Sequence, residues 1–476
     1  MRLSATTGLC GVCKRSLPAE VRREGDAVVL WKRCPEHGEQ QAEIAASYDW
    51  YRRTLSEPPL LERPESKRPP SQGCPFDCGP CTSHEQRVHL PVVPITSSCN
   101  LDCPICYTHN KNHGAYHMGE AELRAILGHL RRAAPEKRIV NLTGGEPTLH
   151  PDFERIVELC HEEGIQRVTI STHGLRFLSD EGLLERLARV DARVALSYDS
   201  FDDEVNQAML GGKLASGKRR VLELLEKHGV STTLLPVVGL GVNHHEVGAF
   251  VDLALGKRFI RSLELHTMTF TGQYGRGFSR DARISPDRLL LEIERQTGGR
   301  LAVDDFVPLP AAHPLCYQVA YLLDVDGEWL PFTRFMERGD LRAMLGATLY
   351  LLPTPEVEER LRDVINRVWT GELGGGERVL AVLKRLTERL FAPGLSDEDR
   401  RKIAEEHTKA VYVHAHMDEE TFDTDRIRQC PVGMPDAGGG NVPSCAYNVL
   451  YRERDGRFME RPEAPLVKLG KGRLAV

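Results

Sequence analysis

The run Ser98-Cys99-Asn100-Leu101-Asp102-Cys103-Pro104-Ile105-Cys106 directly follows an apolar stretch from Leu90 to Ile95. It therefore places a C-x3-C-x2-C triad on a loop that leaves a predicted β-strand. Three thiolates at this spacing can hold three irons of a 4Fe–4S cube and leave the fourth iron free. A free iron can bind a small molecule, so the run predicts chemistry in addition to electron transfer.

Composition limits the remaining function classes. The chain has 476 residues, a formal net charge of −6 and no long Lys or Arg runs, so a nucleic-acid partner is not expected. No apolar run reaches membrane-span length, and the N-terminus lacks the apolar core of a signal peptide. We expect a cytoplasmic protein without a transmembrane segment. In that compartment, 13 cysteines indicate metal binding or catalysis rather than a disulfide framework.

Short apolar segments alternate with amphipathic segments in the middle of the chain, which predicts repeated β-α units. The predicted strands are Val92–Thr96, Ile139–Thr143, Arg167–Ser171, Arg193–Tyr198, Thr232–Val238 and Ser262–Met268. Six such units predict an α/β fold with a parallel sheet, and a partial (β/α)6 barrel fits their number. We assign residues 1–53 to a small metal module and 54–88 to a linker carrying an iron–sulfur triad. Residues 89–275 then form the barrel, and 276–476 a mostly helical C-terminal region that supplies further cluster ligands and the substrate pocket.

The C-x3-C-x2-C spacing occurs twice, and context separates the two copies. Cys74, Cys78 and Cys81 follow a proline-rich segment with no strand before it. Cys99, Cys103 and Cys106 follow a strand and precede the first long helix of the repeat. Active sites of such barrels lie at the carboxyl ends of the strands. The second triad is therefore predicted to be the catalytic one.

A second motif, Gly144-Gly145-Glu146-Pro147, ends the next apolar strand, and together the two motifs resemble the radical S-adenosylmethionine (radical SAM) superfamily. The resemblance implies reductive cleavage of SAM to a 5′-deoxyadenosyl radical, which abstracts hydrogen from an unactivated C–H bond. It also implies a flavodoxin or ferredoxin as electron donor. The SAM-binding positions that it implies are Tyr107, Gly144, Gly145, Glu146, Pro147, Ser171, Thr172, Ser197, Asp199 and Asn243. Taken alone, the Gly-Gly-Glu-Pro run could be a turn, and Ser171 and Thr172 could be helix caps.

Further cysteines indicate additional metal sites. The triad of Cys74, Cys78 and Cys81 needs a fourth ligand for a closed auxiliary 4Fe–4S cluster, and the candidates are Cys316, Cys430 and Cys445. Cys160 falls in the apolar pattern of a predicted helix and is interpreted as core. At the N-terminus, C-x2-C and C-x2-H pairs supply enough ligands for one tetrahedral iron or zinc ion. These ligands are Cys10, Cys13, Cys34 and His37.

The first triad and its surroundings are similar to one branch of the superfamily, which contains tetraether lipid synthase and the class D radical SAM methylases. The segments that carry this resemblance are Gly73 to Cys81, Cys34 to Glu39, His313 to Tyr317 and Ser444 to Asn448. The branch implies carbon–carbon bond formation at unactivated sp3 carbon, either as coupling of lipid alkyl chains or as methylation of a pterin-type small molecule. A lipid substrate would add peripheral membrane contact.

The sequence leaves the choice of substrate open. A lipid enzyme needs a long apolar cavity, which Leu345, Ala347, Leu349, Leu351 and Leu352 could line, although these residues equally fit an ordinary core. For a pterin, polar groups at Asp304, Asp305 or Arg334 could serve. A peptide-modifying radical SAM enzyme with an auxiliary cluster is the enzymatic alternative. An iron–sulfur electron carrier is the non-enzymatic one, but it leaves the Gly-Gly-Glu-Pro run unexplained.

Overall fold

A computed structural model of the chain describes residues 1–64, 69–79, 81–108, 115–134, 139–272 and 277–458, and the backbone of the strands Lys468–Leu469 and Arg473–Leu474. Residues 65–68 of the predicted linker and Pro80 of the first triad segment lie outside the described residues. Among the described residues, no helix is both long and apolar enough to span a bilayer.

The first 45 residues form a four-stranded antiparallel sheet, in the order β1-β2-β3-β4. Its strands are β1 (Arg2–Leu9), β2 (Ser16–Glu24), β3 (Ala27–Cys34) and β4 (Gly38–Ala45), and helix α1 (Tyr48–Leu55) follows. The turn between β1 and β2 carries Cys10 and Cys13, and the turn between β3 and β4 carries His37. The sheet therefore brings the predicted metal ligands to one end of the module.

The barrel strands and helices alternate as the sequence predicts. They are β5 (Leu90–Thr96), α2 (Glu120–Ala133), β6 (Ile139–Gly144), α3 (Phe153–Glu162), β7 (Arg167–Thr172), α4 (Glu181–Arg189), β8 (Arg193–Ser197), α5 (Asp203–Leu210), α6 (Ala215–Lys227), β9 (Thr232–Leu235), β10 (Val237–Val238), α7 (Val247–Gly256) and β11 (Ile260–Thr267). Helix α4 shows how an amphipathic helix packs here, because it buries one apolar stripe consisting of Leu183, Leu184 and Leu187. The predicted fold class is confirmed.

The C-terminal region is rich in helices, as predicted, and it also adds strands to the barrel sheet. Its elements are α8 (Pro286–Gln296), β12 (Val307–Pro308), β13 (Tyr317–Val325), β14 (Glu328–Pro331), α9 (Arg338–Leu345), α10 (Pro355–Trp369), α11 (Gly376–Leu390), α12 (Asp397–His407), β15 (Thr408–His414), α13 (Thr424–Arg428), β16 (Val432–Pro435) and β17 (Asn441–Pro443). The main sheet runs β12-β13-β15-β11-β9-β8-β7-β6-β5-β16-β17. Strand β15 pairs in parallel with β11, and β16 pairs in parallel with β5. The barrel is thus extended at both edges by strands that the sequence analysis does not include.

The curved sheet encloses a cavity of about 410 Å3. Alternate residues of the barrel strands line it, for example Ser262, Glu264 and His266 of β11. This is the pattern expected when one face of each strand points into a barrel. The opposite faces pack against the helices, and Cys160 of α3 lies in that outer core, as predicted. The cavity runs from the carboxyl ends of the strands into the interior of the sheet.

Candidate active site

The three predicted catalytic cysteines lie together at the carboxyl end of the barrel. Cys99, Cys103 and Cys106 all line the cavity. Burial raises the pKa of the Cys99 thiol to about 11 and that of Cys103 still further, and the thiols interact electrostatically with one another. Burial therefore makes these thiols costly to ionise. Metal binding would offset that cost, since cysteine binds a metal as the thiolate. Three convergent thiols at the mouth of a cavity fit a cluster with one open iron.

The cysteine loop is held against the end of β6 by a close backbone contact. Gly145 N donates to Thr96 O at 2.8 Å, and Glu146 N donates to Ser98 O at 2.7 Å. A Cβ atom at Gly144, where φ is +138°, would lie 2.1 Å from Thr96 O, and one at Gly145 would lie 2.2 Å from Ser98 O. Only glycine allows this approach. The Gly-Gly pair therefore fixes the position of the cysteine loop and lines the cavity beside it.

The side chain of Glu146 is buried and holds neighbouring strand ends together. Its Oε1 accepts hydrogen bonds from the Thr148 and Thr172 hydroxyls, both at 2.6 Å, and its Oε2 accepts from His173 N at 2.9 Å. The carboxylate also borders the cavity. The structure therefore gives Glu146 and Thr172 a scaffolding role. The predicted contact of Glu146 with the ammonium group of SAM stays a prediction.

Of the other predicted SAM-binding residues, four line the cavity and two, Pro147 and Asn243, do not. Tyr107, Ser171, Ser197 and Asp199 line the cavity. Asp199 is fully buried, and burial raises the pKa of its carboxyl above the usual range. Pro147 begins a short 3-10 helix behind Glu146 and is buried. The ring of Tyr107 stacks on His416, and the two ring centroids are 5.6 Å apart.

Asn243, like Pro147, is not among the residues that line the cavity. Its Nδ2 donates to the carbonyl oxygens of Asp199 and Val237, both at 2.7 Å, and its Oδ1 accepts from Gly239 N at 2.9 Å. The amide is buried and fully used in joining two loops. The structure therefore gives Asn243 a scaffolding role, and its predicted contact with SAM stays a prediction.

Two residues of the site are missing from the sequence prediction. His173 Nε2 lies 2.7 Å from Asn100 Oδ1 and so links the cysteine loop to β7. The Nζ of Lys218 donates to His173 O at 2.9 Å and to Ser197 O at 2.6 Å, and burial lowers the pKa of this lysine. Lys218 falls on the apolar stripe of α6, in register with Val221 and Leu225. A lysine on an apolar helix face is the signal that could have identified it.

The first triad, Cys74, Cys78 and Cys81, forms a separate group of thiols. Burial raises the pKa of Cys74 to about 12, and Cys78 interacts with both of its partners. The loop is tied by Asp77, whose carboxylate accepts from Gln72 N at 2.6 Å. It is also tied by Tyr451, whose hydroxyl donates to Pro75 O at 2.8 Å.

The candidate fourth ligands lie close to one another. Cys430 interacts electrostatically with Cys445 and Cys316, and burial raises the pKa of Cys445 to about 11. Cys445 belongs to the hydrophobic cluster against which Cys74 and Cys78 pack, whereas Cys316 and Cys430 pack in a different cluster. The structure thus groups three thiols that are far apart in sequence, and one of them, Cys445, shares a hydrophobic cluster with Cys74 and Cys78.

The N-terminal module brings its four predicted ligands together. One ligand atom from each of Cys10, Cys13, Cys34 and His37 lies within 4.8 Å of the others. Burial alone would raise the pKa of Cys10, but hydrogen bonds from the backbone of Cys13 and Val12 and from the Gln40 side chain lower it to about 6. Amide donors to sulfur favour the thiolate that a metal needs. The residues fit one tetrahedral ion.

Residues 93–254, which contain the catalytic triad loop and the glycine pair, match the family model described as the Radical SAM superfamily. This segment is a radical SAM domain. The domain implies a 4Fe–4S cluster and SAM as cofactors, as predicted, and makes the chain an enzyme. Residues 2–46 match the model described as the HMPTM N-terminal zinc ribbon domain, in agreement with the four-ligand site of the module.

Over most of its length, the chain is similar to the 7,8-dihydro-6-hydroxymethylpterin dimethyltransferase of Methanocaldococcus jannaschii, with 25% identity over 94% of each chain. The PqqA peptide cyclase of Methylorubrum populi is 30% identical, over 45% of this chain and 56% of the relative. The solved structure of SuiB from Streptococcus suis, bound to its precursor peptide SuiA, shares 18% identity at a TM-score of 0.37, over 45% of this chain and 46% of that one.

Proposed function

We propose that this radical SAM enzyme forms a carbon–carbon bond at an unactivated sp3 carbon of a pterin-type small molecule, by methylation. The observation that carries the proposal is the single cavity that joins the three catalytic thiols to the interior of the barrel. A substrate bound there is next to the place where SAM would be held. The relative that matches along nearly the whole chain is a pterin dimethyltransferase by name, and this favours a pterin over other small molecules.

The residues of the chain supply binding, orientation and exclusion of water. Cys99, Cys103 and Cys106 would hold the cluster, and the backbone around Gly144 and Gly145 would lie along the methionine part of SAM. When bound, these cofactors supply a 5′-deoxyadenosyl radical that abstracts hydrogen from a C–H bond. The enclosing sheet keeps water away from that step. A low-potential electron donor such as flavodoxin or ferredoxin would supply the electron that reductive cleavage of SAM needs.

Aromatic side chains in the cavity suit a flat heterocycle. Tyr317 and Tyr412 both line it, and the Tyr317 ring stacks on His414 with centroids 3.6 Å apart. Stacking on such rings is a common way to hold a planar ligand. The sequence also suggests polar groups for a pterin at Asp304, Asp305 and Arg334. Asp305 pairs with Arg334 at 2.7 Å, and Asp304 pairs with Arg53 at 2.6 Å. None of these residues is among those that line the cavity.

One observation favours lipid chain coupling as a second candidate function. Of the five apolar residues suggested for a lipid cavity, Leu349 and Leu351 do line the cavity, and Leu90 and Val92 line it as well. An apolar chain could lie along this wall. The relatives described above give no support to a lipid substrate. We therefore rank lipid coupling below the pterin proposal.

The proposed function is tested with the anaerobically reconstituted full-length chain, SAM and a low-potential reductant. 7,8-Dihydro-6-hydroxymethylpterin with a folate-type one-carbon donor is one substrate, and vesicles of isoprenoid lipid are the other. We expect 5′-deoxyadenosine together with a pterin that gains one or two methylene masses. A lipid product that loses two hydrogens for each joined pair of chain ends would replace the pterin proposal by the second candidate. 5′-Deoxyadenosine with neither product would overturn both substrates and redirect the search to peptides, as for the peptide-modifying alternative.

A further inference from the structure

A group of three histidines lies on two neighbouring strands inside the barrel. Strands β11 and β15 pair in parallel, and their register places His266 opposite His414. His416 is two residues beyond His414, just after β15 ends. All three side chains line the cavity that also contains the catalytic thiols. Neither the radical SAM domain, which ends at residue 254, nor the zinc ribbon includes them.

The three imidazole rings are close enough to share one ion. One ring nitrogen from each histidine lies within 4.8 Å of the other two. The ring centroids of His414 and His416 are 3.9 Å apart, and the His266 centroid lies 4.9 Å from each of them. Ligands of one tetrahedral ion lie at comparable mutual distances, because each metal–nitrogen bond is about 2.0–2.1 Å long.

Glu264 orients two of the rings. Its Oε1 lies 3.0 Å from His266 Nε2 and 3.2 Å from His414 Nδ1. A carboxylate oxygen only accepts hydrogen bonds, so each of these nitrogens must carry the proton. The other nitrogen of each ring then has a free lone pair. Histidines that bind metals generally donate their second N–H to a carboxylate or carbonyl in this way.

We propose that His266, His414 and His416 form a binding site for one divalent transition-metal ion of the zinc class, with Glu264 as the carboxylate that orients two of its ligands. Imidazole nitrogens suit zinc, iron, nickel and copper. Three protein ligands leave one position open, as in catalytic rather than structural zinc sites. That position faces the cavity, where it would take a water molecule or a substrate oxygen or nitrogen. The proposal does not depend on the identity of the substrate.

The test measures zinc bound by the full-length chain after its iron–sulfur clusters have been reconstituted. Cys13→Ser serves as the background, because it disrupts the N-terminal four-ligand site. In that background we expect about one zinc per chain after dialysis against a zinc buffer, with zinc-edge X-ray absorption showing nitrogen and oxygen donors only. Adding His266→Ala or His414→Ala should remove this zinc. His150→Ala is the matched control, since His150 is buried outside the cavity and bonds to Met118 O at 3.0 Å.

A milder variant keeps the test informative if the alanine variants fail to fold. Glu264→Gln keeps the size of the side chain and should weaken zinc binding by about 10–100-fold, the usual cost of losing an outer carboxylate partner. The proposal is overturned if the Cys13→Ser chain binds no zinc, or if zinc binding is unchanged by His266→Ala, His414→Ala and Glu264→Gln. Sulfur scattering from the zinc that remains in Cys13→Ser would also overturn the three-imidazole assignment. In that case Cys445, whose sulfur lies 3.6 Å from His416 Nδ1, would be a ligand.

Discussion

Two loops of this enzyme share the C-x3-C-x2-C spacing, and the structure holds them in different ways. The loop of Cys99 to Cys106 is fixed by the strand ends around it, through Gly145, Glu146 and His173. The loop of Cys74 to Cys81 is tied by its own Asp77 and by Tyr451 from the far end of the chain. Identical ligand spacing therefore gives one site built into the barrel and one site beside it. We expect the first site to control radical formation and the second to act only afterwards.

The largest difference is expected when one thiol is removed from each loop. Cys103→Ala should reduce 5′-deoxyadenosine formation to background, because the cluster that binds SAM loses a ligand. Cys78→Ala should keep uncoupled SAM cleavage and abolish the methylated product. Liquid chromatography with mass spectrometry measures both. Retained product in Cys78→Ala would remove the functional distinction between the loops.

A pair of glycines tests the packing difference. Gly144 and Gly79 have nearly the same backbone angle, with φ of +138° and +136°. Alanine at either position carries backbone strain of about 1–3 kcal/mol. Only Gly144→Ala adds a clash with Thr96 O, because the nearest atom to a Cβ at Gly79 is 3.9 Å away. Overpacking adds about 1–3 kcal/mol. Thermal unfolding should therefore show a distinctly lower midpoint for Gly144→Ala, and equal midpoints would contradict the close contact at β6.

Replacement of Asp77 tests how the loop of Cys74 to Cys81 is supported from within. Asp77→Ala removes the acceptor for Ser71 Oγ and Gln72 N, and a hydrogen bond to a charged group contributes about 1.5–3 kcal/mol to the free energy of unfolding. We expect lower iron content and loss of product, with 5′-deoxyadenosine formation unchanged. Asp77→Asn, which keeps one acceptor oxygen, is the matched control and should lose less iron. A fall in SAM cleavage would show that the two loops are coupled.

The smallest effect is expected at Tyr451. Its hydroxyl donates to Pro75 O and accepts from Cys78 N at 3.3 Å. Tyr451→Phe removes both bonds and should cost about 0.5–1.5 kcal/mol for each neutral bond lost. The cluster held by Cys74, Cys78 and Cys81 should lose iron sooner than in wild type. Iron retention during mild chelation measures this difference. Retention identical to wild type would leave Asp77 as the main support of the loop.

Much of the fold could be predicted from local sequence patterns. The six predicted barrel strands match β5 to β11 within a few residues, because apolar runs and amphipathic helices alternate regularly there. The added strands β13 and β15 are different. The nine residues of β13 are all buried, and β15 begins directly after α12 with no turn signal between them. Without alternation or a turn, a short apolar run does not distinguish strand from helix.

The candidate site shows the same limit residue by residue. Spacing and position predicted a site at Cys99, Cys103, Cys106 and the Gly-Gly pair, and all of them border the cavity. Asn243 follows a strand as a cofactor ligand would, but its amide bonds to backbone groups of two loops. Lys218 belongs to a helix rather than a strand end and was missed. A motif indicates where a loop leaves the sheet, whereas the direction of each side chain depends on packing.

The sequence by itself determined the catalytic loop, the parallel repeat and the N-terminal ligand set, because each depends on residues close together in the chain. Only the tertiary structure decided which distant segments meet. Strand β15 pairs with β11, and this pairing of distant segments creates the group of His266, His414 and His416 beside Glu264. The tertiary structure also brings Cys430 into electrostatic interaction with Cys316 and Cys445. The physical reason is that side-chain periodicity specifies which face of a strand is buried, but not which other strand its backbone hydrogen bonds will join.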